Sequence, residues 1–253
     1  MTALDFTPDA SAAPFARRVW AQATTEAGLI LRNGEQAILA IVIPVAVLIG
    51  AKLFGDRLGL NLQEMAPSVL ALVIWSTCLT TLAIATGFER RYNVLERIAA
   101  TPLGKPGILL GKGLGIAIIT VGQIVVLSAI GLALGWRPSF TVGSFLIAVA
   151  VAALSMGAFA GLALTISGWL RPEATLAIAN LLYLVGMPLG VLLPVNRFPE
   201  WAQNVINLLP TGALGETLRQ SAAGVAVGWP LLVAALWCVG TLLLARKVFS
   251  WTS

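Results

Sequence analysis

Six apolar runs of about 20 residues, none with a charge in its middle, divide the chain between Gln36 and Ala245. They read as membrane spans at roughly Gln36–Phe54, Pro67–Phe88, Ile108–Leu134, Val142–Leu170, Ala174–Leu193 and Trp229–Ala245. Hydrocarbon offers no partner to a backbone N–H or C=O, so such runs must be helical. The expected fold is all-α: a polytopic membrane protein of six transmembrane helices. An N-terminal interfacial helix precedes them, and short re-entrant or amphipathic outer helices lie between spans five and six. Pro44 falls inside the first span and should kink it. Spans three and four are long enough to tilt.

Composition agrees. Hydrophobic residues make up 58% and charged residues 11%, against about 25% charged in soluble domains. The net charge of +5 does not suit a nucleic-acid surface, because the basic residues flank apolar runs instead of gathering on one face. There is no histidine, and Cys78 and Cys238 sit inside apolar runs. Those two cysteines cannot build a zinc site and read as small core residues.

Of the 16 Lys and Arg residues, only Lys52, Arg57, Arg137, Arg197 and Arg219 fall on the outer side if the N-terminus is inside. That asymmetry predicts both termini in the cytoplasm, in a cytoplasmic (inner or plasma) membrane. Residues 1–14 contain Asp5, Asp9 and no apolar core, which reads as a disordered cytoplasmic tail, not a signal peptide. Residues 15–253 then form one transmembrane domain. Its first element, residues 15–33, repeats Phe15, Val19, Ala23, Ala27 and Ile30 at helical spacing beside Trp20. This suits a helix at the membrane surface, or one packed on other protein. Lys112, at the start of span three, reads as a lysine snorkelling to the interface.

Two polar segments stand out. The first is 89–103. Continued as one helix, it puts Phe88, Tyr92, Leu95 and Ala99 on one face, Glu89, Asn93 and Glu96 on a second, and Arg90 and Arg97 on a third. Arg91 adds to its charge, and Pro102 ends it. The same residues suit a solvated basic loop that only sets orientation. The second segment is 195–225. Pro199 can start a helix with Trp201, Val205 and Leu208 on one apolar face. Pro210 interrupts it, and Thr211 can cap another helix carrying Leu214 and Leu218. Trp201 and Leu208 are expected to bury against spans five and six.

Glu89-Arg90, a gap, Leu95-Glu96-Arg97, then Thr101-Pro102-Leu103 and Gly111-Lys112 resembles the cytoplasmic coupling segment of type-2 ABC exporter permeases. That family usually has Gly-Thr before the Leu-Glu-Arg; here Asn93-Val94 stands there, with the helix expected to continue through it. Pro188, Pro194, Phe198, Pro199, Trp201, Asn207, Pro210, Leu218 and Arg219 are similar to the family's outer segment, although the aromatic that usually follows the last proline is missing. The resemblance implies a permease domain over residues 15–253. It would contact a cytoplasmic ABC ATPase through Glu89, Arg90, Arg91, Tyr92, Leu95, Glu96 and Arg97. Pro194, Phe198, Pro199, Trp201 and Leu208 would form an outer gate or lid. Spans two and five would line the substrate path, with Trp75, Thr80, Asn180 and Tyr183 as candidates. A second permease subunit, identical or not, membrane lipid, and ATP with Mg on the partner ATPase complete the implied assembly. The implied cargo is lipophilic or amphipathic and moves outward.

The chain offers no catalytic residues and no cofactor or metal site of its own. Its nearest approach to a phosphate-binding loop, Gly107 to Gly113, has three residues between the glycines and no hydroxyl after Lys112. An ion-coupled or channel-like transporter without an ATPase is the competing class, and a membrane scaffold is a third. Ion coupling usually leaves ionisable groups within spans, and here the mid-span polar residues are Gln123 and Asn180, which suit interhelical hydrogen bonds. A neighbouring ATPase chain would separate the first class from the others.

The orientation is tested with single cysteines at Asn93 and Gln203, in a chain whose two native cysteines are replaced by alanine. An impermeant thiol reagent on intact cells should label the Gln203 position and spare the Asn93 position. The opposite pattern would invert the topology.

Overall fold

The computed structural model describes residues 12–58 and 61–250. The tail expected over 1–14 lies outside the described residues except for 12–14. Every regular element among the described residues is helical: α1 (Phe15–Arg32), α2 (Gly34–Leu58), α3 (Leu62–Trp75), α4 (Leu82–Arg91), α5 (Val94–Ala99), α6 (Gly104–Leu134), α7 (Val142–Trp169), α8 (Pro172–Gly186), α9 (Glu200–Leu208), α10 (Pro210–Ala222) and α11 (Trp229–Val248). A π turn, Ser76–Thr81, joins α3 to α4. A second, Met187–Val191, extends α8.

Five of these stretches are long and apolar enough to cross a bilayer: Leu62–Arg91, Gly104–Leu134, Val142–Trp169, Pro172–Val191 and Trp229–Val248. Within α2, Ala40–Gly55 is a shorter apolar stretch, with Pro44 inside the helix. The six-run pattern therefore corresponds to this helical bundle. Span two starts earlier than expected. Asn61 caps α3 by accepting from Gln63 N, and Pro67 lies within the helix.

Glycines set the closest helix approaches. A Cβ at Gly161 would stand 2.5 Å from Thr241 Oγ1 and 2.9 Å from Leu242 N, and one at Gly157 would stand 2.6 Å from Cys238 Sγ. This is where α7 and α11 touch. Gly111 and Gly115 do the same for α1 and α6: their Cβ positions fall 2.5 Å from Gln22 Cγ and 2.7 Å from Glu26 Cβ. Phe15 faces Gly107, Gln22 faces Gly111 and Glu26 faces Gly115, so α1 runs parallel beside the opening turns of α6. Its buried stripe is Val19, Ala23, Glu26 and Ala27. The helix is packed on protein along that stripe, while Trp20 on the other side stays exposed.

At the centre, Trp75 meets the edge of Phe159 with ring centroids 4.7 Å apart. The Ser76–Thr81 π turn brings Thr77 Oγ1 within 2.9 Å of Gln123 Oε1, to which it donates. Gln123 is thus an interhelical hydrogen-bond partner within the bundle.

Gly161→Ala should push α11 away from α7 and cost about 1–3 kcal/mol. Thermal unfolding of the purified chain in detergent should show the loss, while Gly240→Ala, with open space at its Cβ, should leave the midpoint unchanged.

Candidate functional site

The polar segment at 89–103 is not one helix. Span two runs to Arg91, Asn93 turns left-handed at φ 56°, and α5 begins at Val94. Asparagine tolerates that conformation better than most residues with a side chain, and it stands where the resembled pattern has glycine. The break resets the helical register. Tyr92, expected beside Leu95 on an apolar face, is 64% exposed, whereas Leu95 is fully buried. Glu96 and Arg97 are exposed on α5. Glu89 and Arg90 belong to the span and turn inward.

Glu89 meets Lys112 of α6, and Lys112 also meets Glu26 of α1. Lys112 is 1% exposed, so the expected snorkelling lysine is instead enclosed. Gly111 and Gly115 let α1 approach closely enough to seal it. Its ammonium donates to Glu26 Oε1 at 3.0 Å and Oε2 at 3.1 Å, and Gln22 Nε2 donates to Glu26 Oε1 at 2.7 Å. Removing a lysine from water costs several kcal/mol unless its three donors are met. Here three carboxylate oxygens surround them.

The next residues tie the same region to α7 and α8. Arg90 donates to Ser167 O at 2.8 Å and Leu170 O at 3.0 Å, satisfying carbonyls at the C-terminus of α7. Arg91 pairs with Glu173 at the start of α8. Arg18 of α1 donates to the Pro102 carbonyl after α5. Ser250 N bonds Gly168 O at 3.1 Å, so α1's first turn and the end of α11 lie at this same end of the bundle.

At the opposite end, Pro199 caps α9 as expected, but α10 starts at Pro210, the favoured N1 position, and not after a Thr211 cap. Leu209 alone links the two helices. The expected burial of the α9 face is overturned: Trp201 is 75% exposed and Leu208 is 64% exposed, while Ala202 and Ile206 face inward. Helix α10 carries the burial instead: it packs against α3, α7 and α11, and Leu214 is fully buried. Pro194 and Pro199 flank the short 3-10 turn Val195–Arg197, and Phe198 packs beside Val195 and Ile206.

Arg219, read as an outer surface charge, is buried. It donates to Gly190 O at 2.8 Å, Val191 O at 2.9 Å and Ser68 Oγ at 2.9 Å, and pairs with Glu216 at 3.1 Å. Gly190, at φ 85°, breaks the end of span five; Arg219 accepts the geometry of that break by donating to its freed carbonyls. Burial lowers the Arg219 pKa from its usual value, and Glu216 opposes that shift.

Of the four residues suggested for a substrate path, Trp75 and Tyr183 meet, while Thr80 and Asn180 stand apart from that contact. Trp75 is buried against Phe159 and Gly186, and its Nε1 donates to Tyr183 O at 3.4 Å. Thr80 Oγ1 is buried without a partner. Tyr183 is half-buried, and Asn180 is exposed on α8. Sequence reading passed over Glu26 and Lys112 as a pair. The signal available was a glycine pair flanking Lys112 at 111 and 115.

Residues 35–247 match the family described as ABC-2 family transporter protein. No curated protein matches the chain.

Lys112→Met would leave two carboxylates facing each other without a cation and should cost about 3–5 kcal/mol. Adding Glu26→Gln and Glu89→Gln should return most of that loss, as read by thermal unfolding in detergent.

Proposed function

The chain belongs to the ABC-2 family of transporter proteins and is a multi-pass membrane subunit of an ABC transporter; from that premise we propose that it is the permease of an exporter driven by a separate cytoplasmic ATPase. ATP and Mg act on that partner. Two permease subunits, identical or not, pass a lipophilic or amphipathic molecule outward between them, with the coupling segment in the cytoplasm of a cytoplasmic membrane.

What supports this reading best is the segment from Arg91 to Arg97. Leu95 anchors α5 in the bundle while Tyr92, Glu96 and Arg97 stay exposed beside it. An exposed polar face on a seated helix is what a soluble partner needs in order to push on a membrane domain. Export requires that this contact differ in strength between two states of the bundle. The ion pairs and the Arg90 hydrogen bond behind it connect α5's neighbours to α1, α6, α7 and α8, so displacement of α5 reaches most of the spans. Exposed Asn180, on a face with Leu181 and Leu184, suits the seam with a second permease, because a lone amide is poorly solvated by lipid. The exposed Trp201 and Leu208 keep α9 available as an outer gate against that second subunit.

The inward geometry of Glu89 moves the expected ATPase contact to Tyr92, Glu96 and Arg97. The test is Glu96→Lys with Arg97→Glu in the assembled transporter. Membrane level should be unchanged, because both side chains are exposed. Co-purified ATPase and export should both fall, by about tenfold or more for loss of one charge-assisted contact. Wild-type values of both would return the segment to a solvated loop.

A further inference from the structure

Between α1, α4 and α6, next to Lys112, lies a half-open cleft of about 140 Å³. Its walls are mostly apolar, with Leu29 of α1, Leu82 of α4 and Ile116 of α6; the neutral polar residues Asn33 and Thr81 also line it, and its charged residues are Glu26, Glu89 and Lys112. Two carboxylates and one ammonium leave a surplus negative charge. The Lys112 donors go to both Glu26 oxygens and to Glu89 Oε2. Among the described residues, no donor beyond Lys112 meets Glu89. A surplus charge between apolar walls is costly unless a cation joins it.

We propose that this cleft binds the ammonium head of a cationic amphiphile. The head sits on Glu89, opposite Lys112. The chain leaves past Leu82 and Leu29, both of which line the open cleft. The small volume suits a head and its first carbons, with the remainder of the tail in the bilayer. Charge complementarity selects the occupant: an anionic head would face two carboxylates, and a neutral one would leave the surplus charge unmet. This deepens the exporter reading, on which it rests for its role: cationic amphiphiles are then the substrate class recognised at the coupling end of the bundle.

The test uses the purified full chain in phosphatidylcholine nanodiscs, titrated with dodecylammonium and with dodecanol. Binding to the folded state raises the unfolding midpoint with the logarithm of ligand concentration. Dodecylammonium should do so and dodecanol should not. Glu89→Gln keeps the balanced Lys112–Glu26 pair, and so should fold, but should weaken dodecylammonium binding by about tenfold or more. Equal responses to the two probes, no response, or an undiminished response in Glu89→Gln would each overturn the proposal. So would a wild-type midpoint that rises on acidification alone and is insensitive to dodecylammonium, which would make the missing cation a proton. No ATPase enters this assay. Its failure leaves the Glu96/Arg97 test standing, and failure of that test leaves this site standing.

Discussion

Lys112 holds together three parts of the chain that are far apart in sequence: α1 through Glu26, the end of span two through Glu89, and its own span, α6. An enclosed ammonium is tolerable only with its donors met, so none of the three helices can move away without exposing an unpaired charge. That constraint positions the polar segment at 89–103. α4 is held at Glu89, one turn before the chain breaks at Asn93, and α1 returns to the far side of the segment through Arg18 and Pro102. The glycines at 111 and 115 belong to the same device, because any side chain there would hold α1 off and open Lys112 to solvent or lipid.

Two arginines solve a related problem at opposite ends of the bundle. A helix that stops inside a packed protein leaves carbonyls without intrahelical partners. Arg90 reaches across to the last carbonyls of α7, and Arg219 reaches the carbonyls freed where span five breaks at Gly190. In each case the planar guanidinium donates to two carbonyls at once, which an ammonium matches poorly. Arg90 thereby ties the end of α4 to the end of α7. Arg219 fixes α10 to spans two and five, leaving α9 as the loosely covered outer element.

The two ends therefore differ in kind. Around Lys112 the contacts are ionic and span α1, α4 and α6. Around Arg219 they are shared between backbone carbonyls and the side chains of Ser68 and Glu216, with α10 packed as a core helix. The exposed face of α5 lies at the ionic end, where separating a pair would leave a buried charge unmet.

Six apolar runs, their approximate limits and the two polar segments were legible because they depend on local composition: a charge-free run of that length has few other fates. Pro199 marked a helix start and Pro210 an interruption for an equally local reason, the fixed φ and missing N–H of proline, although α10 begins at Pro210 itself and not after a Thr211 cap. Tertiary structure decided where the polar side chains point. One left-handed residue, Asn93, reset the register of everything after it, so Leu95 parted from Tyr92; Glu89, which precedes the break, is drawn to the core side by Lys112. Trp201 and Leu208 form a clear apolar stripe in sequence, yet the stripe only says that something apolar lies opposite, and within one chain nothing covers it. Lys112 and Arg219 looked like interface charges because burial of a charge is decided by partners from distant segments, Glu26 and Glu89 in one case and Gly190, Val191 and Ser68 in the other. Sequence settled which stretches cross the membrane, since hydrocarbon judges each run alone. Only the folded bundle settled which charges lie inside it, since that depends on donors and acceptors meeting from opposite ends of the chain.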